Sequence, residues 1–315
     1  MIVVTGGAGF IGSNVVGELN SRGHDDVVVV DDMTDGRKFA NLVGCDIADY
    51  FDKDDFLGRL KSRALGKIDA IFHQGACAVT TEWNGRYVLE TNYRYSVDLL
   101  DYCIANAVPL IYASSAAVYG ASTTFKEADP SVERPLNVYG YSKLLFDQHV
   151  RRRFAEARAP IVGLRYFNVY GPGETHKGSM ASVAFHLNGQ VGATGEARLF
   201  EGSGGYAAGE QRRDFVYVGD VAAVNLWFYE QRGPSGIFNL GTGASATFND
   251  VANAVIAWHG KGAIRYIPFP AELMSRYQSF TQADIVALRE AGYTAPFRGV
   301  SAGVRAYLDA LGRPA

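Results

Sequence analysis

Cysteine is scarce in this chain: Cys45, Cys77 and Cys103 are all that 315 residues contain. An odd number without metal spacing argues against a disulfide framework. It predicts reduced, mostly buried thiols in a cytoplasmic protein. The six histidines include no HxxxH or HxxE pairing, so no metal is expected. Neither charge sign dominates. Thirty basic and 33 acidic side chains are mixed along the sequence, for a net charge of −3, and no basic stripe offers a nucleic-acid surface. No apolar run reaches the roughly eighteen residues of a membrane span. Met1 leads directly into an apolar stretch, so no signal peptide is expected. Internal repeats and low-complexity blocks are absent too. What is left, 48% apolar and 20% charged residues, is the composition of an ordinary globular protein.

The most informative spacing is Tyr139 to Lys143. Four residues is about one helical turn, so both side chains share a face. An ammonium beside a phenol favours the phenolate and lowers the Tyr pKa from about 10. Such a Tyr can take a proton from an alcohol while a hydride leaves the same carbon. Chance can also place a Tyr and a Lys four apart, so the reading depends on two other segments.

The first is Met1 to Gly12. A β-branched apolar run ends in Gly6-Gly7-Ala8-Gly9-Phe10-Ile11-Gly12, and a helical pattern follows. Strand, glycine turn and helix make a site for a dinucleotide pyrophosphate, which approaches the backbone closely and meets free N–H groups. The Gly6-x-x-Gly9-x-x-Gly12 spacing is one residue wider at its start than the commoner form. Val27 to Val30 reads as a second strand. It ends at Asp31 and Asp32, about twenty residues past the loop, where an acid can meet the adenosine ribose. The second segment, Pro109 to Ser115, is a buried strand ending in Ser114 and Ser115. In a doubly wound sheet it opens into the same crevice, and Ser115 can orient a substrate alcohol.

Strands are predicted at 2–5, 27–31, 42–45, 69–73, 109–113 and 161–166, and helices at 10–21, 54–64, 86–106 and 138–157. The fold class is α/β, a Rossmann-type doubly wound parallel sheet with a smaller C-terminal substrate-binding lobe. Residues 1–170 form the dinucleotide-binding domain and 171–315 mainly the lobe, with a strand near 236–241 rejoining the sheet. Gln74-Gly75-Ala76 is a small-residue exit that lets a cofactor lie close. The stretch Gly204 to Gln211 reads as an exposed surface insertion.

Together, the glycine loop, Asp31, Ser114-Ser115, Tyr139-x-x-x-Lys143 and Arg165-Tyr166-Phe167-Asn168-Val169-Tyr170-Gly171-Pro172 resemble the extended short-chain dehydrogenase/reductase family, in its nucleotide-sugar epimerase branch. Within that branch, Gly75-Ala76-Cys77, Thr80 to Trp83, His176 to His186 and Phe280 to Asp284 resemble the heptose 6-epimerases. The resemblance runs over nearly the whole chain. It implies an ADP-heptose substrate inverted at carbon 6, as in the supply of the lipopolysaccharide core, and a homo-oligomer such as a pentamer.

The resemblance also assigns roles. Tyr139 and Lys177 become two acid/bases, Lys143 the partner that lowers the Tyr pKa and holds the ribose, and Ser115 the orienting hydroxyl. Cofactor contacts are implied at Gly6, Gly9, Phe10, Ile11, Gly12, Asp31, Asp32, Lys38, Lys53, Gln74, Gly75, Ala76, Cys77, Ala78, Asn92 and Val169, besides Tyr139, Lys143 and Lys177. Substrate contacts are implied at Ser115, Asn168, Ser179, His186, Phe200, Glu201, Gly202, Ser203, Arg213 and Tyr277. Asp31 argues for NAD, since a carboxylate repels a 2′-phosphate. Arg37, Lys38 and Lys53 can neutralise that phosphate, and the matching lysines of the family contact NADP. The expectation is NADP, with NAD as the alternative.

The chemistry agrees with an epimerase. The carbinol carbon is not acidic, so inversion proceeds through a ketone and return of the hydride to the other face. A 4,6-dehydratase would carry carboxylates after the fifth strand, where this chain has Ser114-Ser115-Ala116-Ala117. A UDP-hexose 4-epimerase shares the Tyr, Lys and Ser but has no need of a second acid/base at Lys177. A binding module that kept the fold without the chemistry would lack the Tyr or the Lys.

Overall fold

The computed structural model describes residues 1–270 and 278–312. Its strands are β1 (Ile2–Thr5), β2 (Val27–Asp31), β3 (Asp49–Asp52), β4 (Ala70–His73), β5 (Leu110–Ser115), β6 (Ile161–Tyr166), β7 (Asn168–Tyr170), β8 (Glu196–Phe200), β9 (Arg212–Arg213), β10 (Phe215–Tyr217), β11 (Gly236–Leu240), β12 (Ala246–Thr247) and β13 (Ala263–Ile267). The helices are α1 (Phe10–Ser21), α2 (Lys53–Lys61), α3 (Gly85–Leu89), α4 (Tyr95–Asn106), α5 (Val138–Arg153), α6 (Val183–Thr194), α7 (Val218–Glu230), α8 (Phe248–His259), α9 (Val286–Glu290) and α10 (Val300–Leu311).

Seven strands form one parallel sheet in the order β11-β6-β5-β4-β1-β2-β3. Strands β1, β2 and β4 are buried along their whole length, which is why their sequences are continuous apolar runs. One face is covered by α1 and α7, with Val15, Val16, Leu19, Val221, Val224 and Phe228 in its core. The other is covered by α2, α4 and α5, with Phe56, Leu60, Leu99, Leu100, Phe146 and Val150. The chain steps outward from β1 to β2 and β3, then returns to place β4 on the far side of β1. The carboxyl ends of β1 and β4 therefore frame the crevice where such sheets bind ligands. A third core gathers α6, α8 and α10 around β8 and β10 as the lobe. Local signals fix its helices: Thr247 and Asp250 form a capping box at α8, and Gly260 ends it at φ 67°.

The doubly wound parallel sheet matches the sequence-based expectation, and β11 is its edge strand beside β6. One strand was misplaced. Leu42 to Cys45 form turns after a 3-10 segment, with Leu42 and Cys45 packed on the core, while the strand is Asp49–Asp52. As a largely exposed edge strand it needs few apolar residues, so Asp-Tyr-Phe-Asp carries no strong signal. The expected helix over 86–106 is broken by a π turn at Glu90–Arg94. Among the described residues no helix is long and apolar enough to cross a membrane. Nor does any cluster of three or more His, Cys, Asp or Glu among them suit a metal.

Candidate active site

The glycine turn is shaped by close approach. Gly6 has φ 65°, and a Cβ there would lie 2.5 Å from the Gly75 nitrogen. A Cβ on Gly12 would lie 2.0 Å from the Gly6 carbonyl. The loops after β1 and β4 thus touch through backbone alone. Gly9 is the N-cap of α1 and contributes no capping side chain, so the first N–H groups of α1 remain available to an anion. Both observations fit a dinucleotide pyrophosphate.

Two cavities adjoin at Ala76. The first is lined by Gly6, Asp31, Asp32, Lys38, Lys53, Gly75 and Cys77, with α2 and the π turn behind. Asp31 accepts hydrogen bonds from the Ala8 N–H at 2.8 Å and from Lys38 Nζ at 2.7 Å. The ribose-side acid is therefore already neutralised by a lysine. Lys53 Nζ contacts Asp54 at 2.8 Å. Asn92 lies buried under the loop, bonded to both backbone groups of Cys77 and to Ser142 Oγ. It braces the loop against α5, and the π turn is what points it there.

The second cavity, about 490 Å³, holds the reactive groups. Phe10, Ile11, Gln74, Ala78, Ser115, Tyr139, Lys143, Asn168, Val169 and Lys177 all line it. Tyr139 stands in the first turn of α5, which Asn137 caps by accepting the Gly140 N–H at 2.8 Å. Burial raises the Tyr139 hydroxyl, opposed by its hydrogen bond with Ser115. Lys143 is buried and donates to the Ala113 carbonyl at 2.7 Å. Burial lowers its ammonium to about 8, and Asp147 one turn further along α5 works against that. Here the sequence-based electrostatics needs correction: Lys143 is turned to the end of β5, and the phenol is raised by burial rather than lowered by the ammonium. Ser115, not Lys143, is the neighbour that favours the phenolate.

Lys177 reaches the cavity from the α1 side, with Nζ 5.0 Å from the centre of the Phe10 ring. Burial lowers its pKa while Glu174 raises it. Tyr139 arrives on a helix packed against the opposite face of the sheet. The two candidate acid/bases thus enter one cavity from two sides.

Other expected contacts stand further off. His186 lines a separate surface cleft with Phe185, Asn188 and Arg198. Ser179 is exposed on its loop; Phe200 ends β8 and Glu201 to Ser203 follow it, all outside the cavity wall. Arg213 is buried, its guanidinium 5.8 Å from the centre of the Phe248 ring, and Phe248 lines the cavity. Tyr277 lies outside the described residues. The Gly204 to Gln211 stretch is exposed at its tip but tied at its base. Asn249 Nδ2 donates to the Ala208 carbonyl and to Glu210, and Gln211 Nε2 to the Glu201 carbonyl.

Sequence reasoning missed three structures behind the site. A buried ion network joins Arg165 to Asp147 at 2.9 Å and to Glu133, all without exposed side-chain surface beyond 2%. Asp147 also accepts from Tyr112 and from Ser114, the neighbour of Ser115. A second chain runs under the crevice. Ser96 Oγ donates to the Asn92 carbonyl, so His73 must donate Nε2–H to Ser96 Oγ and accept at Nδ1 from Thr5, at 2.7 and 2.6 Å. Thr5 Oγ1 in turn accepts the Gly75 N–H. The third is Glu174, a fully buried carboxylate beside Lys177. None of these pairs falls at a recognisable spacing. The missing clue was the cost of burying a charge, which a sequence does not display.

The chain has recognisable relatives. Residues 2–241 match the model of the NAD dependent epimerase/dehydratase family. The ADP-L-glycero-D-manno-heptose-6-epimerase of Helicobacter pylori is 33% identical, covering 98% of this chain and 95% of its own, with a TM-score of 0.85. A UDP-glucose 4-epimerase of Thermotoga maritima is 27% identical with a TM-score of 0.80, covering 98% of both chains. That of Thermus thermophilus, solved with NAD, is 28% identical with a TM-score of 0.77, covering 98% of this chain and 97% of its own. With its glycine turn at the β1/β4 switch point and a Ser–Tyr–Lys group beside it, the chain belongs to the NAD dependent epimerase/dehydratase family, among enzymes that work with a nicotinamide dinucleotide.

Proposed function

We propose that this enzyme inverts carbon 6 of the heptose in ADP-D-glycero-D-manno-heptose to give ADP-L-glycero-D-manno-heptose, a precursor of the lipopolysaccharide core. The observation that carries the proposal is the entry of Tyr139 and Lys177 into one cavity from two sides of the sheet. A single acid/base suffices for an enzyme that only oxidises. Inversion requires a proton to be handled on each face of the same carbon, or an intermediate that turns over.

The bound nicotinamide supplies the acceptor for a hydride and later its donor. Glycines 6, 9 and 12 and the first turn of α1 would hold the pyrophosphate. Lys38 and Lys53 border the adenosine side and make NADP the preferred cofactor, since Lys38 has already offset the charge of Asp31. Ser115 and Tyr139 hold the substrate hydroxyl. As the carbon gives up its hydride, the hydroxyl proton passes to one of the two acid/bases. The planar ketone then takes the hydride on its other face, and its oxygen takes a proton from the second acid/base. Lys143 would hold the nicotinamide ribose and supply a positive charge there.

The test is incubation of the purified protein with ADP-D-glycero-D-manno-heptose and no added cofactor, followed by NMR, with UDP-glucose in parallel. Appearance of the 6-epimer supports the reading; turnover of UDP-glucose alone sinks it. The cofactor released from denatured protein decides the second point, and NAD alone there would remove NADP.

A further inference from the structure

We infer that Glu174 is a positioning residue: its buried carboxylate closes the loop from Glu174 to Ser182 on itself and thereby sets where Lys177 meets the substrate. The inference rests on Lys177 as an acid/base, and its test separates the two ideas.

Glu174 has no exposed surface. Burying a carboxylate is costly unless its oxygens are bonded. Here both oxygens meet Ser182, eight positions on: Ser182 Oγ donates to Oε1 at 2.6 Å and the Ser182 N–H to Oε2 at 2.5 Å, and the buried Tyr307 hydroxyl of α10 lies beside the same carboxylate. Ser182 is also the N-cap of α6, its Oγ accepting the Phe185 N–H at 3.2 Å. The α6 terminus therefore has its own cap, and Glu174 is not needed for that task. What the carboxylate adds is closure. Between its two ends the chain runs through the tight turn Thr175–Met180, and Gly178 takes φ 55° and ψ −126°, a conformation that L side chains avoid.

Lys177 hangs directly on this closure. Its N–H donates to the Glu174 carbonyl at 2.9 Å. Its ammonium, reaching back over the Phe10 ring, stands in the field of the same glutamate. The flank is anchored separately. Asn41 Nδ2 donates to the Gly173 carbonyl at 3.0 Å and lies 3.2 Å from His176 Nδ1, joining the loop to the chain that follows β2. Without the Glu174–Ser182 bonds the tip carrying Lys177 would keep one anchor and lose its fixed geometry.

A misplaced Lys177 spoils one face of the reaction and leaves the Tyr139 face intact. The holoenzyme is mixed with each purified 6-epimer of ADP-heptose, and reduction of the bound nicotinamide is followed by absorbance in a single turnover. Glu174→Gln is nearly isosteric but turns an amide N–H toward a donor of Ser182. It is expected to slow reduction by one epimer at least tenfold while the other reacts at the wild-type rate. Lys177→Met sets the reference, and the same epimer should be affected there. If Lys177→Met slows both epimers or neither, the acid/base reading fails. If Lys177→Met is one-sided but Glu174→Gln slows both alike or neither, Glu174 does not position Lys177. Should Glu174→Gln not fold, Ser182→Ala removes the hydroxyl half of the closure, and an equal effect on both epimers there overturns the inference.

Discussion

His73→Gln isolates a single proton in the acid stability of this fold. His73 is fully buried between Thr5 and Ser96, and burial, with Lys143 nearby, lowers its pKa to about 3. The unfolded imidazole takes a proton near 6.5. Below about pH 6.5 the unfolded chain therefore binds a proton that the native one refuses. Stability from this residue is complete above that pH and is lost as the pH falls toward 3. At pH 5 the gap amounts to roughly 1.5 pKa units, or about 2 kcal/mol, rising to about 3 kcal/mol at pH 4. Gln offers one donor to Ser96 and one acceptor to Thr5 but does not titrate. Urea unfolding of both proteins at pH 8 and pH 5 checks this. Wild type should lose about 2 kcal/mol more than the variant between those conditions, whatever their stabilities at pH 8. Equal losses would refute the assignment of a neutral His73 locked by the Thr5–Ser96 chain.

Three further outcomes follow from the site and its support. Tyr139→Phe should fold and keep its cofactor but lose about 10²- to 10⁴-fold in epimerisation rate; undiminished turnover would remove Tyr139 as an acid/base. Arg165→Met leaves Asp147 buried without its counter-ion, while Glu133 keeps Arg151. Thermal or urea unfolding should show a loss of about 3–5 kcal/mol, and a loss under about 1 kcal/mol would mean the network is not a charged one. Gly12→Ala forces its new methyl to within 2.0 Å of the Gly6 carbonyl unless the backbone moves. Cofactor retention through gel filtration should fall sharply; full occupancy would show that the turn yields more easily than its packing implies.

The sequence revealed the parts whose chemistry is local. The β-branched runs of β1 and β2 have to be buried strands, and Gly6 to Gly12 can serve few purposes between a strand and a helix. Tyr139 and Lys143 declare themselves through one helical turn. The failures share one cause. Strand β3 is held by pairing with β2 rather than by its own residues. The π turn at Glu90–Arg94 follows from tertiary bonds to Asn92, not from propensity. Lys143 stands one turn along α5 from Tyr139, yet its ammonium takes the Ala113 carbonyl because β5 ends beside it. Glu174 looks like any surface glutamate until its surroundings are known.

The return of the chain to the sheet at β11 has a consequence for how such an enzyme can change over time. The edge strand beyond β6, and helix α7 that covers α1, are both supplied after the first lobe segments. A piece ending near residue 170 would leave the outer edge of β6 unpaired and the apolar side of α1 bare. It would be a seed for association, not an independent unit. The two halves therefore share one scaffold. New specificity has to come from substitutions in the loops that meet the cavity, since grafting in a foreign lobe would also replace part of the scaffold that holds the cofactor.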